Sequence, residues 1–557
     1  MLSTLFFLPS SGDAADGFPV CDVAGDQESP SLARASDLAT WIAWRDGRRT
    51  DATVRTDLYA ARLPALVAAD ASLAAASAPA FAPLADGVAV CLSGTAGPPV
   101  AVATDSGGVL VVWGDSRVPR GIYLQRLRAD GGRYPGWPVD GRLITADVED
   151  LTLVACSDGA GGAYVGRKPA PTLPGMQSIR LTRITKLGTF APGWSEPGVS
   201  LGGDELVQGV TLAADPAGGA VFTIRLYFNG GAADPQYGRA GRISPTGALS
   251  PNPNLPGWRS GGISPGIVGS LAIADGGGGL FAAWNDAPGP HFYGQHWNAA
   301  GAAQWPDSLP APHMDALVGD GTGGVYLVGR EKQDLNRLSV QRRTAAGAVS
   351  AGWEPGGRLL AEPLALAHDG AIPVGDGILA YWSDKRGTSS GFDIRATHVR
   401  ANGRLGAGWV GGGDAICDVP GDQTNVTGVA GSIVLAWVDA RNLATTRKDL
   451  FAKYVLGPEG GVDVAPTPLP PWRLGFRSVF PNPARDELKL TLNVPGDEPL
   501  VLEVIDLRGR VVRRRTLAPD GPSVTVLVPA RDLPSGLYWL RAIQGDRTAR
   551  ARAIVLH

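Results

Sequence analysis

The stretch Cys417-Asp-Val-Pro-Gly-Asp-Gln423 repeats, with one residue changed, the stretch Cys21-Asp-Val-Ala-Gly-Asp-Gln27 near the start of the chain. A chain that writes one heptapeptide at both ends of its main body is built from a recurring unit. A longer pattern recurs: Asp105-SGGVLVVWGDSR-Val118, Asp275-GGGGLFAAWND-Ala287, Asp376-GILAYWSDKR-Gly387 and Gly431-SIVLAWVDAR-Asn442. Each copy has a Gly-rich turn, an apolar strand ending in Trp, and then x-Asp. Asp158-GAGGAYVGRK, Asp215-PAGGAVFTIR and Asp320-GTGGVYLVGR keep the turn and lose the Trp, whereas Leu38-ATWIAWRDGR keeps the Trp and drops the turn. Anchored on the Trp or its equivalent, the repeats fall at positions 44, 113, 167, 224, 284, 329, 382 and 437. The mean period is about 56 residues.

A further strand follows the anchor, as in Asp57-LYAARL, Gly121-IYLQRL, His291-FYGQHW, Asp393-IRATHV and Asp449-LFAKYV. Next comes a corner at Trp137, Trp194, Trp258, Trp305, Trp353 or Trp409, and then a short strand such as Gly141-RLI. Four strands per repeat at this period describe a propeller blade. The turn Asp can bond the local backbone while Gly takes the positive φ of a tight hairpin. The large indole suits the wedge between twisted, radially packed sheets. The predicted fold is all-β: an eight-bladed propeller over residues 15–460, or seven-bladed if a degenerate repeat merges with its neighbours.

The last repeat stops short of a full blade, and the first is preceded by an extra segment, Gly17-FPVC. If that segment pairs with the last sheet the ring closes without an open edge. The heptapeptide then occurs twice because it is one stretch of the repeating unit. The rival is Gly461-VDVA completing the last blade locally.

Composition agrees. In 557 residues, Gly 77 and Pro 45 make up about a fifth of the chain, and charged residues only 18%, as many short strands and tight turns require. A net charge of −3 offers no basic stripe for a phosphate backbone, which argues against nucleic acid. No apolar run approaches the roughly 20 residues of a membrane-spanning helix. Residues 1–14, with an apolar stretch from Leu2 to Leu8, read as the remnant of an export signal. Of the four cysteines, Cys21, Cys91 and Cys417 occupy one repeat position, as small buried thiols would. No disulfide framework is implied.

Beyond a Pro-rich linker, 461–473, the period is lost, and residues 474–557 alternate as short strands of a small β-sandwich. Phe480-PNPARDEL, Val504-IDLRGRVV, Asp532-LPSGLYWLRA and the terminal Arg552-AIVLH stand in order. This stretch resembles the C-terminal sorting domain of type IX (Por) secretion cargo and is similar to the immunoglobulin-like domain of the flagellar-hook capping family. The matching positions are Pro481, Asn482 and Pro483, the turn glycine Gly509, and Gly536 with Tyr538 of the G-x-Y. The family often ends on a basic residue, where this chain has His557. The resemblance implies the secretion machinery as partner and a destination, by way of the periplasm, outside the cell or on its surface. Read from the residues alone, the prolines stop an edge strand and the glycines make hairpin turns.

The main constellation of polar residues is Trp-x-Asp-x-Arg: Asp115 with Arg117, Asp384 with Arg386, Asp439 with Arg441, then Asp46 with Arg48, and Asp286 without the Arg. These residues could gather at one rim as a sugar or cation site. Alternatively each Asp caps its own hairpin and meets its own Arg, as expected of residues that recur blade after blade. Gly387-TSSG matches the nucleophile-elbow spelling but lies in a loop between strands, without the helix that motif needs. Gly319-DGTGG likewise lacks the helix of a phosphate loop. His291 and His296, five apart on a strand, point to opposite faces. No catalytic residue, metal or cofactor is implied. The expectation is a secreted binding or scaffold protein with a protein or glycan ligand; the alternative is a hydrolase or lyase acting on polysaccharide.

Overall fold

Alternation of side chains about Gly-rich turns gives strands throughout. The computed structural model describes residues 16–49, 56–65, 86–146, 148, 152–169, 179–201, 206–227, 236–250, 267–286, 292–305, 315–331, 334–363, 365–386, 391–455, 474–480, 484–494, 499–506, 508–518, 523–545 and 547–556. Among these residues there are strands and no helix. The chain divides near Ala465 into two compact units. Residues 1–14, the Pro-rich linker, Gly461-VDVA, Trp258, His291, Ser389 and Pro481–Pro483 lie outside the described residues.

The larger unit holds eight antiparallel sheets in chain order, seven of four strands and the fifth with three among the described residues. The second sheet is representative: Val100–Ala103, Val109–Asp115, Gly121–Leu127 and Arg142–Thr145 pair in sequence order. In every sheet the second strand carries the anchor position, at Trp44, Trp113, Arg167, Ile224, Trp284, Gly329, Trp382 and Trp437. First strands of successive sheets pack on one another, and that of the eighth, Gln423–Gly428, packs on that of the first, Gln27–Arg34. The arrangement is propeller-like.

The eighth sheet takes its fourth strand from the start of the chain. Phe18–Cys21 pairs antiparallel with Asp449–Tyr454, Phe18 opposite Ala452. The two heptapeptides therefore do the same job: Cys21 ends the fourth strand of the eighth sheet and Gln27 opens the first sheet, while Cys417 ends the seventh and Gln423 opens the eighth. Their bonds correspond. Gln27 N–H donates to Lys448 O (2.8 Å) and Gln423 N–H to Phe392 O (2.7 Å); Gly47 N–H donates to Asp26 O (2.8 Å) and Ala440 N–H to Asp422 O (2.9 Å). The glycine of each crossover is obligatory. Gly25 and Gly421 have φ of 124° and 108°, and a Cβ there would lie 2.5 Å from Gly47 O or 2.8 Å from Ala440 O.

The smaller unit is a sandwich of a three-stranded sheet (Gly475–Phe480, Glu487–Asn493, Ser523–Pro529) and a four-stranded one. The latter runs Val511–Leu517, Leu500–Ile505, Gly536–Gln544, Arg547–Val555. Alternate residues Leu488, Leu490 and Leu492 meet Leu500, Leu502, Val504 and Leu540 in one core.

Candidate functional site

Two residues apart on a strand, Trp and Asp of the Trp-x-Asp motif share one face. The indole Nε1–H consequently donates to the carboxylate two residues on: Trp44 to Asp46 (2.8 Å), Trp113 to Asp115 (3.0 Å), Trp382 to Asp384 (2.7 Å) and Trp437 to Asp439 (2.9 Å). The other carboxylate oxygen accepts the backbone N–H of Arg48 (2.8 Å), Arg117 (3.0 Å) or Arg441 (2.9 Å). The guanidinium of the same residue returns to the carboxylate, at 2.7 Å in the Arg48–Asp46 and Arg441–Asp439 pairs, 3.1 Å in Arg386–Asp384 and 3.4 Å in Arg117–Asp115. It also donates to the carbonyl of Asp86, Asp140, Asp16 or Gly412, the residue just before the fourth strand's opening glycine. That glycine lies at positive φ against the indole: a Cβ on Gly413 (φ 80°) would sit 2.5 Å from Trp382 Cη2. Arg48, Arg117 and Arg441 further cover the rings of Tyr59, Tyr123 and Phe451 at 3.7, 3.6 and 3.9 Å.

Three of the four clasps also reach the sheet before. The thiols of Cys21, Cys91 and Cys417 face Asp46, Asp115 and Asp439 of the following sheet at 3.8, 3.7 and 3.8 Å. Burial pushes these thiols up, Cys91 to about 11 and Cys21 and Cys417 to about 12, so they stay protonated and donate. At Asp115 burial opposes ionisation, but hydrogen bonds from Thr95, Trp113, Arg117 N–H and Ser93 outweigh it and hold the carboxyl below its usual range.

The structure thus brings Asp46, Asp115, Asp384 and Asp439 each to an arginine two residues on, and the other partners of Asp46, Asp115 and Asp439 lie in the same sheet, in the chain leading into it, or at the cysteine that ends the sheet before. Asp384 is shared with Arg395 (3.3 Å) as well as Arg386. Asp286 ends the second strand of the fifth sheet, and its side chain is outside the described set.

Two further sets of residues escaped the reading of the motif. Asp57, Asp393 and Asp449 stand directly across the hairpin from Asp46, Asp384 and Asp439, and burial raises their pKa. At the opposite end of the sheets the turn Asp meets a third-strand Arg or His. The pairs are Asp37–Arg62, Asp105–Arg126 (3.7 Å), Asp158–Arg183 (3.0 Å), Asp215–Arg242, Asp275–His296 (3.0 Å), Asp320–Arg342 (2.7 Å) and Asp376–His398 (3.4 Å). The corner Trp residues are bonds between sheets: Trp194, Trp305 and Trp353 Nε1–H donate to Pro245 O, Ala345 O and Ala401 O of the next repeat. The Arg or His near each third strand's end was the available signal.

In the smaller unit Gly509 has φ 79° and closes a turn in which Asp506 accepts from Arg508 and Arg510 N–H (2.9 Å each). Gly536 opens its strand, and the buried Tyr538 donates to Pro534 O at 2.8 Å.

Residues 478–556 match the secretion system C-terminal sorting domain. The protein is accordingly cargo of the type IX system, exported to the cell surface or extracellular space, and its terminal domain engages that machinery. No curated protein sequence matches the chain significantly. Among solved structures, similarity extends to a puromycin hydrolase (14% identity, TM-score 0.40, 77% of this chain and 61% of that one). It extends also to the BP39L lectin of Burkholderia pseudomallei (13%, 0.41, 68% and 98%) and a Hadza microbial sialidase (11%, 0.32, 79% and 68%). The chain thus spans about three-fifths of the hydrolase's length.

Proposed function

We propose that residues 15–460 form a closed eight-bladed propeller that binds a ligand outside the cell without transforming it, joined through a linker at 461–473 to the sorting sandwich at 474–557. The observation that carries the non-catalytic reading is the use made of the Trp-x-Asp carboxylates. Each is bonded to its own indole and arginine in sheet after sheet, and the carboxylates across the hairpin, Asp57, Asp393 and Asp449, recur with it, as structural residues do, whereas an acid–base pair is needed at one place only. The eight-bladed count draws support from the eight sheets, the pairing of Phe18–Cys21 with Asp449–Tyr454, and the packing of Gln423–Gly428 on Gln27–Arg34.

The test is incubation of the secreted full-length protein with a panel of polysaccharides and surface extracts, measuring retention and product release together. Saturable retention without product is expected. Turnover that disappears on changing one carboxylate would replace the binding reading with an enzymatic one. For the domain boundaries, fractionation of a protein lacking residues 466–557 should find it folded and held in the periplasm, whereas the full chain leaves the cell.

A further inference from the structure

The third and fourth sheets break the clasp pattern. Arg167 stands where four other repeats have the clasp's Trp, and Ile224 is its counterpart in the fourth sheet; the residues that follow are Lys168 and Arg225. Where the pattern breaks there is a cavity of about 420 Å³ between the sheets. Arg167, Lys168 and Arg225 line it, with the hydroxyl residues Thr152, Thr211 and Ser270, and the remaining walls are aliphatic or glycine. No carboxylate is among these described lining residues.

Two details show how the cations are placed. Arg167 is 1% exposed, and its guanidinium donates to Pro197 O (3.3 Å) and to the hydroxyl of Thr145 (3.4 Å), the residue at the position of Cys91 in the sheet before. Arg225 lies over Gly209, where a Cβ would come within 2.5 Å of Nη2, so the glycine leaves the space that the guanidinium occupies.

We propose that this cavity is a binding site for a small organic anion bearing hydroxyl groups, the chemistry of an acidic sugar. Lys168 and Arg225 favour a carboxylate or sulfate, with Arg167 held in the wall by its bonds to Pro197 O and Thr145. The hydroxyls match further polar groups on the same ligand, and the aliphatic wall matches the C–H face of a ring. The volume falls in the range of small-ligand sites, roughly 300–1,000 Å³, and far exceeds the ~30 Å³ share of one water in the liquid; an inorganic ion would leave it mostly empty. The proposal rests on the binding reading above and names the ligand class.

Calorimetric titration of the full-length protein at low salt tests it, using glucuronic acid, a uronic acid oligomer, galactose 6-sulfate and glucose as probes. Saturable binding of a uronate or the sulfated sugar, with none of glucose, is expected. The uronate and sulfate arms tell the two acidic groups apart, and the oligomer separates a chain unit from a free sugar acid. Lys168→Gln and Arg225→Gln should each weaken affinity roughly tenfold or more, while Arg550→Gln, the same charge change in the sorting unit, should not. Equal affinity for glucose, no binding of any anion, or unchanged affinity in both cavity variants would overturn the site. If the variants still bind a polysaccharide of the panel as the parent does, this site falls and the binding reading stands; if the parent binds nothing in the panel, that reading falls and the small-anion titration still judges the cavity.

Discussion

Half of the larger unit is clasped and part of the rest is not. The seventh, eighth, first and second sheets each carry a Trp bonded to the Asp two residues on, while the third, fourth and sixth have Arg167, Ile224 and Gly329 in the Trp position. The four clasped sheets are consecutive across the junction at which Phe18–Cys21 joins Asp449–Tyr454. Elsewhere the chain itself runs from the third strand of a sheet to its fourth, and covalent continuity keeps the two together. Inside the eighth sheet, between Asp449–Tyr454 and Phe18–Cys21, that link is missing. Buried indoles, charge-assisted bonds and thiol–carboxylate contacts are concentrated beside it, and the opposite arc is released to vary and to open a cavity.

The largest effect should come from removing the segment that bridges the junction. Deleting residues 1–21 leaves Asp449–Tyr454 as an unpaired edge and strips Trp437 of its cover from Gly17. Such an edge recruits other chains, so light scattering should find oligomers or aggregate where the parent is monodisperse. A monodisperse deletion product of parental stability would show that the junction needs no clasp. Next in size, Trp437→Ala should cost about 3–5 kcal/mol and Ile224→Val, at the same position in the unclasped fourth sheet, about 0.5–1.5 kcal/mol. Urea unfolding followed by circular dichroism measures both, and equal costs would break the comparison.

Glycine substitutions sharpen it further. Gly413 and Gly193 have nearly the same φ, 80° and 81°, but a Cβ on Gly413 meets the Trp382 indole and one on Gly193 meets nothing within 4 Å. Gly193→Ala therefore reports backbone strain alone, about 1–2 kcal/mol, and Gly413→Ala should exceed it by a further ~1 kcal/mol or more from crowding in the clasp. Matching values would mean that the indole yields freely.

Much of this was legible before any coordinates. Trp-x-Asp spacing, Gly-rich turns and the repeated heptapeptide express local chemistry, and local chemistry leaves a mark at fixed intervals. What depends on register was not legible. That Cys91 faces Asp115 of the next sheet, or that Asp449 lies opposite Asp439, follows from which residues pairing sets side by side. The repeat alignment did put Arg167 in the Trp position, but a missing indole could have been filled by its neighbours. Only the packing reveals a cavity there. The sorting unit was readable for another reason: Phe480-PNPARDEL, Val504-IDLRGRVV and Asp532-LPSGLYWLRA stand in the order of a known family, and residues 478–556 match it.

The smallest predicted effect concerns pH, at the opposite end of the sheets from the clasps. Where the sixth sheet pairs Asp320 with Arg342, the seventh pairs Asp376 with His398. Burial lowers the His398 pKa below its ordinary 6.5; Arg400 pushes the same way and Asp376 opposes. A base with a lowered folded pKa is held neutral in the native state, while the unfolded chain takes up its proton at higher pH. The associated stability is thus complete above about pH 6.5 and is lost as the pH falls from there through the folded value. The carboxyls of Asp275 and Asp320 have folded pKa values below normal, since hydrogen bonds to them outweigh the opposing burial. Their stability is present above about pH 3.9 and is lost only as the pH drops below that through their lowered values. The two windows are separate. Replacing the imidazole by the neutral amide in His398→Gln should flatten the urea midpoint between pH 7.5 and pH 5, a change worth under about 1 kcal/mol, and leave the acid limb below pH 4 where it was. Arg342→Gln should do neither in the upper window, because the guanidinium it removes does not titrate there. An unchanged slope in His398→Gln would mean that the imidazole is as easily protonated in the folded protein as in the unfolded chain.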